Sequence, residues 1–254
     1  MTIDIAKVEA TLLRAAEAAA AHTLPLFRTP LGIDNKLESG FDPVTEADRG
    51  AETLIRAVIT EAFPDHAVIG EEWGSTGDSD YTWIIDPVDG TREYGEERSD
   101  WAVHVGLAID GQPVIGAVAL PGLDGGTVLR SDQPRPLPAT PEKLRMVVSR
   151  TRPAAEAVLV AERLGAELVP MGSAGAKAMA VILGQADIYL HSGGQYEWDS
   201  MAPVAVALAH GLHCSRIDGS PLLYNQSDVY LPDLLICRKD HAEQVLALIA
   251  QVKG

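Results

Sequence analysis

The chain has 254 residues, 46% hydrophobic and 22% charged, which are ordinary globular proportions and suffice for one large domain or two modest ones sharing an interface. Thirty-six acidic residues against 20 basic ones leave a formal net charge of −16, which argues against nucleic acid or an anionic membrane as the main partner and makes any anionic substrate dependent on bound cations. Two cysteines, Cys214 and Cys237, provide neither a disulfide framework nor a zinc ribbon.

The N-terminal segment carries Lys7, Glu9, Arg14 and Glu17 within its apolar pattern, a spread that a signal-peptide core would not tolerate. No uncharged run approaches the ~18 residues of a membrane helix. The expectation is a cytoplasmic protein.

Residues 3–21 are Ala-rich with charges on one face, which predicts an amphipathic helix. A loop punctuated by Pro25, Pro30, Gly32, Gly40 and Pro43 follows. Thr45 opens a second helix that runs to Ala62 and is stopped by Pro64. Strands are predicted at 66–70 and 81–85, with the polar stretch Gly74 to Asp80 as a loop between them. The runs 101–109 and 113–120 read as a strand pair turning around Asp110-Gly111, and 127–130 as one more strand. Four prolines between Pro134 and Pro141 mark the best interdomain boundary, dividing the chain into 1–138 and 139–254. Beyond it strands at 145–149, 167–171 and 187–191 alternate with helices at 153–164, 174–183 and 200–210. Strands near 213–217 and 233–237 and a helix from about 240 complete the pattern. The expected fold class is α/β, an α+β half followed by an α/β half, with a cleft where they meet.

The chemistry concentrates in "WIIDPVDGTREY". An apolar strand ends in Asp86, Pro87 bends the chain, and Asp89 follows before a Gly90-Thr91 turn. Two carboxylates so spaced can converge on one Mg²⁺, which takes oxygen ligands and keeps water for substrate. The same string also reads as a plain turn. In "VIGEEWG", Glu71 and Glu72 follow a short strand, and their mutual repulsion asks for a cation or full solvation. Thr45 with Asp48 fits a capping box, with a further role for Asp48 if that helix start faces the cleft. In "GGQYEWDSMAP", Asp199 begins a helix as its N-cap, with Pro203 in or near the first turn. In "MGSAGAKAMAVILG", a helix opens among small residues with Lys177 in its first turns, an anion site or simply close packing. His210, His213 and Cys214 read as helix-end packing rather than a zinc site.

Taken together and in order, "GEE … WIIDPVDGT … WD" resembles the inositol monophosphatase superfamily of Mg²⁺-dependent, lithium-sensitive phosphatases, with matching motifs from Asp42 to about Gly211. The resemblance implies the superfamily's layered α/β/α/β/α sandwich. It implies that Glu71, Asp86 and the backbone carbonyl of Ile85 hold a first Mg²⁺. Asp86, Asp89 and Asp199 would hold a second, with a third ion in some relatives. It further implies that Thr91, polarised by Asp48, with Glu71, activates the attacking water, while amides at Gly90 and Thr91 hold the phosphate. The charged pair Arg92-Glu93 followed by an aromatic resembles the 3′-phosphoadenosine 5′-phosphate phosphatase branch in its actinobacterial form. Tyr94 stands where that pattern prefers Phe. By this likeness Arg92, Ser173, Gly175, Lys177 and Gln195 lie near the substrate.

The implied substrate is a small phosphate ester, adenosine 3′,5′-bisphosphate or its sulfated form. Inositol 1-phosphate and fructose 1,6-bisphosphate are the alternatives, and a non-catalytic metal-dependent binder is the remote one. Relatives are often dimers, which makes a homodimer the assembly to expect, although nothing in the chain marks an interface.

Overall fold

The computed structural model describes residues 3–27, 33–35, 43–123 and 126–253. Helix α1 spans Ile5–Leu26, with Asp4 accepting the Lys7 N–H as its cap. It runs five residues past the expected end and takes in Pro25. Short strands β1 (Ile33–Asn35) and β2 (Pro43–Thr45) pair antiparallel. The rest of the expected loop, including Asp42, lies outside the described residues. Helix α2 (Glu46–Ala62) starts directly after Thr45, whose side chain also lies outside them.

A six-stranded sheet follows, built from β3 (Ala67–Gly70), β4 (Gly74–Thr76), β5 (Tyr81–Asp89), β6 (Ala102–Ile109), β7 (Gln112–Leu120) and β8 (Thr127–Arg130) in the order β4-β3-β5-β6-β7-β8. The segment expected to be a loop after Glu72 contains β4, an exposed edge strand of small polar residues. No hydrophobic alternation announces such a strand. Helix α3 (Thr91–Gly95) is a single turn after β5.

The second sheet comprises β9 (Arg145–Ser149), β10 (Glu167–Met171), β11 (Ile188–Tyr196), β12 (His213–Ser215) and β13 (Tyr230–Cys237), ordered β10-β9-β11-β13-β12. Helices α4 (Ala155–Leu164), α5 (Ala174–Ile182), α6 (Glu197–Ala209) and α7 (Lys239–Lys253) alternate with these strands. The proline-bearing stretch 131–144 is the connection from one sheet to the other.

The layers follow from which faces are apolar. Leu12 of α1 and Ile55 of α2 pack with Trp83, Ile85 and Val105 of the first sheet. On that sheet's other face Ile84 and Val118 share a core with α5, α6 and Tyr189 of the second sheet. Val160 of α4 and Val245 and Ile249 of α7 cover the far side, against Ile188 and Leu235. The result is a five-layer α/β/α/β/α sandwich. Helix α6 lies very close to the first sheet: a Cβ on Gly116 would meet the Ala202 carbonyl oxygen at 2.6 Å. Only glycine permits that approach, and it brings the start of α6 to the end of β5.

Candidate active site

Strand register explains why two motifs apart in sequence meet. β3 and β5 run parallel, with Gly70 beside Ile85. Glu71 and Asp86 therefore leave the same end of the sheet on neighbouring strands. Side-chain alternation sends Trp83 and Ile85 toward α1 and α2 and puts Asp86 on the face of Ile84, toward α6. Between Asp86 and Asp89 the pairing of β5 with β6 slips through an irregularity, which turns the backbone and lets both carboxylates face one point. The Val88 amide donates to Asp86 Oδ1 at 3.1 Å, and the Thr91 hydroxyl donates to the Val88 carbonyl at 3.2 Å.

Carboxylate oxygens of Asp86, Asp89 and Asp199 all lie within 4.8 Å of one another, with the first two residues buried and Asp199 partly so. Burial, then Glu71, Asp89, Asp199 and Asp48, pushes the Asp86 carboxyl well above its ordinary range. Burial and Asp89 raise Asp199 to about 6. Burial alone would raise Asp89 too, but His104, Lys177 and the Ser173 hydroxyl outweigh it and hold Asp89 at about 2. Carboxylates so crowded are a poor arrangement without a counter-charge. Their hard oxygen donors fit a divalent cation.

Asp199 departs from the sequence expectation. Helix α6 begins at Glu197, and Asp199 Oδ2 reaches back to accept the Tyr196 N–H at 2.6 Å. Asp199 is thus the third helical residue, not the N-cap, and Pro203 falls in the second turn. Ile85 is also placed differently. It sits inside the sheet, paired with Gly70 on one side and Val105 on the other. Its carbonyl belongs to the ladder. At the irregularity the Val88 backbone leaves the ladder, its amide turned to Asp86 and its carbonyl to the Thr91 hydroxyl.

The acidic cluster opens into a cavity of about 360 Å³. Glu71, Asp89 and Asp199 form one wall, and Gly90, Thr91, Arg92, Ser173, Lys177 and Gln195 also line it. Gly175 does not line it. The Gly175 amide donates to Asp89 Oδ2 at 2.6 Å and the Ser173 hydroxyl donates to the same oxygen at 2.5 Å. Both residues therefore grip Asp89. Lys177 is buried, its Nζ donating to the Ser173 carbonyl at 2.6 Å; burial lowers its pKa, and Asp89 and Glu93 oppose that shift. Gln195 donates to the Tyr189 hydroxyl at 2.9 Å.

Asp48 is buried and close enough to Asp86 to raise it. Glu93 is buried and paired with Arg150 at 3.0 Å, tying α3 to the end of β9 while Arg92 faces the cavity. Tyr94 donates to the Thr23 carbonyl at 2.7 Å near the end of α1, which gives its hydroxyl a buried partner. Arg152, His191 and Tyr196 also line the cavity, and sequence reasoning passed over them. The arginines of "SRTRP" at the end of β9 were the only signal for Arg152.

Residues 4–253 match the inositol monophosphatase family. The chain belongs to that family. Its membership makes it a metal-dependent phosphoric monoester hydrolase. It is 48% identical over 234 residues to the 3′-phosphoadenosine 5′-phosphate phosphatase of Mycobacterium bovis, covering 85% of this chain and 86% of that protein. It is 43% identical over 256 residues to the protein of the same name from Mycobacterium leprae, covering 93% and 94%. Among solved structures, an inositol monophosphatase from Zymomonas mobilis superposes with a TM-score of 0.75 at 27% identity, over 95% of this chain and 96% of that one. The family's phosphatase chemistry suits the acidic triad found here. No helix among the described residues is long and apolar enough to cross a membrane.

Proposed function

We propose that this family member removes the 3′-phosphate of adenosine 3′,5′-bisphosphate, giving AMP and inorganic phosphate, in the recycling of a sulfur-assimilation by-product. The sulfated form, 3′-phosphoadenosine 5′-phosphosulfate, is a second candidate substrate. The mycobacterial relatives carry this activity in their names. The observation that carries the reading is the make-up of the cavity. Besides the carboxylates, its lining includes Arg92 and Arg152, suited to a second anionic group, and the half-exposed ring of Tyr196, suited to an aromatic base. A polyol phosphate needs neither.

In this reading Asp86, Asp89, Asp199 and Glu71 would hold two Mg²⁺ ions, or three. The Val88 carbonyl takes the role first given to Ile85. The cations supply charge neutralisation and Lewis acidity for in-line displacement at phosphorus. Thr91 and the buried Asp48 orient the attacking water and accept its proton, with Glu71 beside them. The amides of Gly90 and Thr91 would donate to phosphate oxygens. Lys177, held by Ser173, adds positive charge behind Asp89. The cavity draws its lining from both proposed halves of the chain, 1–138 and 139–254.

The test is phosphate release with Mg²⁺ from adenosine 3′,5′-bisphosphate, inositol 1-phosphate and fructose 1,6-bisphosphate, compared by kcat/KM. A preference of about a hundredfold for the nucleotide is expected, on the order of 3 kcal/mol of discrimination. Preference for inositol phosphate would reassign the cavity wall and leave the metal site standing. Release from none of the three would favour a non-catalytic binder.

A further inference from the structure

Asp89 presents only one of its two carboxylate oxygens to the cluster freely. The other, Oδ2, accepts from Ser173 and Gly175, and His104 Nε2 packs 3.3 Å from it without making a hydrogen bond. His104 lies on β6, opposite Asp86 in the strand register, and is fully buried. Its second ring nitrogen, Nδ1, is 2.9 Å from the backbone carbonyl oxygen of Trp198. A carbonyl can only accept, so Nδ1 carries a hydrogen and donates it. One planar ring therefore spans from Asp89, on β5, to the residue immediately before Asp199, on α6. Gly175 completes its seat. A Cβ there would come within 1.9 Å of His104 Nε2, while the amide of the same residue grips Asp89.

Asp89 and Asp199 belong to different layers and repel each other. The Gly116–Ala202 contact brings α6 against the first sheet, but it lies away from the two carboxylates. A cation needs its ligands placed to a few tenths of an ångström. A hydrophobic side chain in place of His104 would fill much of the same space but lose the bond to the Trp198 carbonyl, and with it the tie between the ring packed on Asp89 and α6. We propose that His104 is a positioning residue of the metal centre, a rigid spacer that sets the distance between Asp89 and the start of α6 so that both carboxylates meet one cation site. This rests on the reading above, in which those carboxylates are ligands.

The experiment is Mg²⁺ and Mn²⁺ binding by calorimetry to wild type, His104→Leu, His104→Gln and Gly175→Ala, with melting curves to confirm folding. Steady-state assays then separate the Mg²⁺ concentration for half-activation from the KM of the nucleotide. His104→Leu should bind metal about 10- to 100-fold more weakly, the range seen when groups supporting metal ligands are removed. Half-activation should rise by the same factor, and the nucleotide KM at saturating Mg²⁺ should stay within about threefold. Gly175→Ala, which unseats the ring without removing it, should move affinity in the same direction. His104→Gln, which keeps an N–H donor for the Trp198 carbonyl, should recover part of the loss. Folded variants with wild-type metal affinity would overturn the role of His104. Should His104→Leu not fold, the other two decide by the same criterion. A wild-type protein that binds neither ion would remove the metal reading beneath it, a result distinct from the others.

Discussion

Replacing Asp199 by Asn should stabilise the metal-free protein above pH 6. Burial and the neighbouring Asp89 raise the Asp199 carboxyl from its ordinary 3.8 to about 6. A raised carboxylate favours the folded state while protonated and loses that contribution as pH climbs through its folded value. The window runs from about pH 4 to about pH 6. Roughly two pKa units at 1.36 kcal/mol each give an upper limit of about 3 kcal/mol. Asp199 is partly exposed, and solvent and salt reduce this to about 1–2 kcal/mol. Asparagine keeps an oxygen for the Tyr196 N–H and carries no charge. At about 2–4 °C per kcal/mol, the variant should melt about 2–8 °C above wild type at pH 8 in EDTA, and level with it near pH 4. Saturating Mg²⁺ should reverse the order, because binding to the native state stabilises wild type and the variant has lost a ligand. Circular-dichroism melts across pH 4–8, with EDTA or Mg²⁺, read this out. A variant less stable than wild type at pH 8 in EDTA would refute the reasoning.

Asp86→Asn should abolish turnover while leaving the circular-dichroism spectrum intact; near-normal Mg²⁺-dependent activity would end the assignment of Asp86 as a metal ligand. Tyr196→Ala should raise the KM for adenosine 3′,5′-bisphosphate about tenfold, as loss of a base–aromatic stack of about 1–3 kcal/mol implies, and leave inositol 1-phosphate kinetics unchanged. Glu52→Gln tests the support of Glu71. Glu52 accepts the amides of Glu72 and Trp73 and pairs with Arg56 at 2.7 Å. Breaking this buried pair should cost about 3–5 kcal/mol in a denaturant titration and weaken Mg²⁺ binding. Full retention of both would show that the 71–76 segment holds itself.

The metal-type carboxylates were legible because their chemistry is local. A strand that ends in Asp-Pro-x-Asp-Gly declares its two carboxylates in five residues. Glu71 and Asp199 were legible only as companions to that string. What brings them to it is strand register and the Gly116 contact, which depend on partners distant in sequence. Ile85 shows the opposite case. Which carbonyl escapes a sheet depends on where pairing slips, and the irregularity between Asp86 and Asp89 has no signature beyond Pro87. The helix through Pro25 and the strand at Gly74–Thr76 were missed for a related reason. A helix near its end tolerates a proline when packing holds it, and an edge strand of small polar residues has no apolar face to betray it. His104 was hidden as one polar residue in a hydrophobic strand, its proposed purpose depending on the Trp198 carbonyl, 94 positions away.

Helix α6 carries Asp199 and is pressed on by both sheets. Prising the sheets apart would strip α6 from one of them and dismantle the acidic cluster in the same movement. Access to the cavity does not require the sheets to part, since Arg152 and Tyr196 of its lining already stand in solvent. If Arg152 and Tyr196 select the substrate as proposed, the molecules this scaffold accepts can be changed at exposed positions that hold none of the buried carboxylates in place.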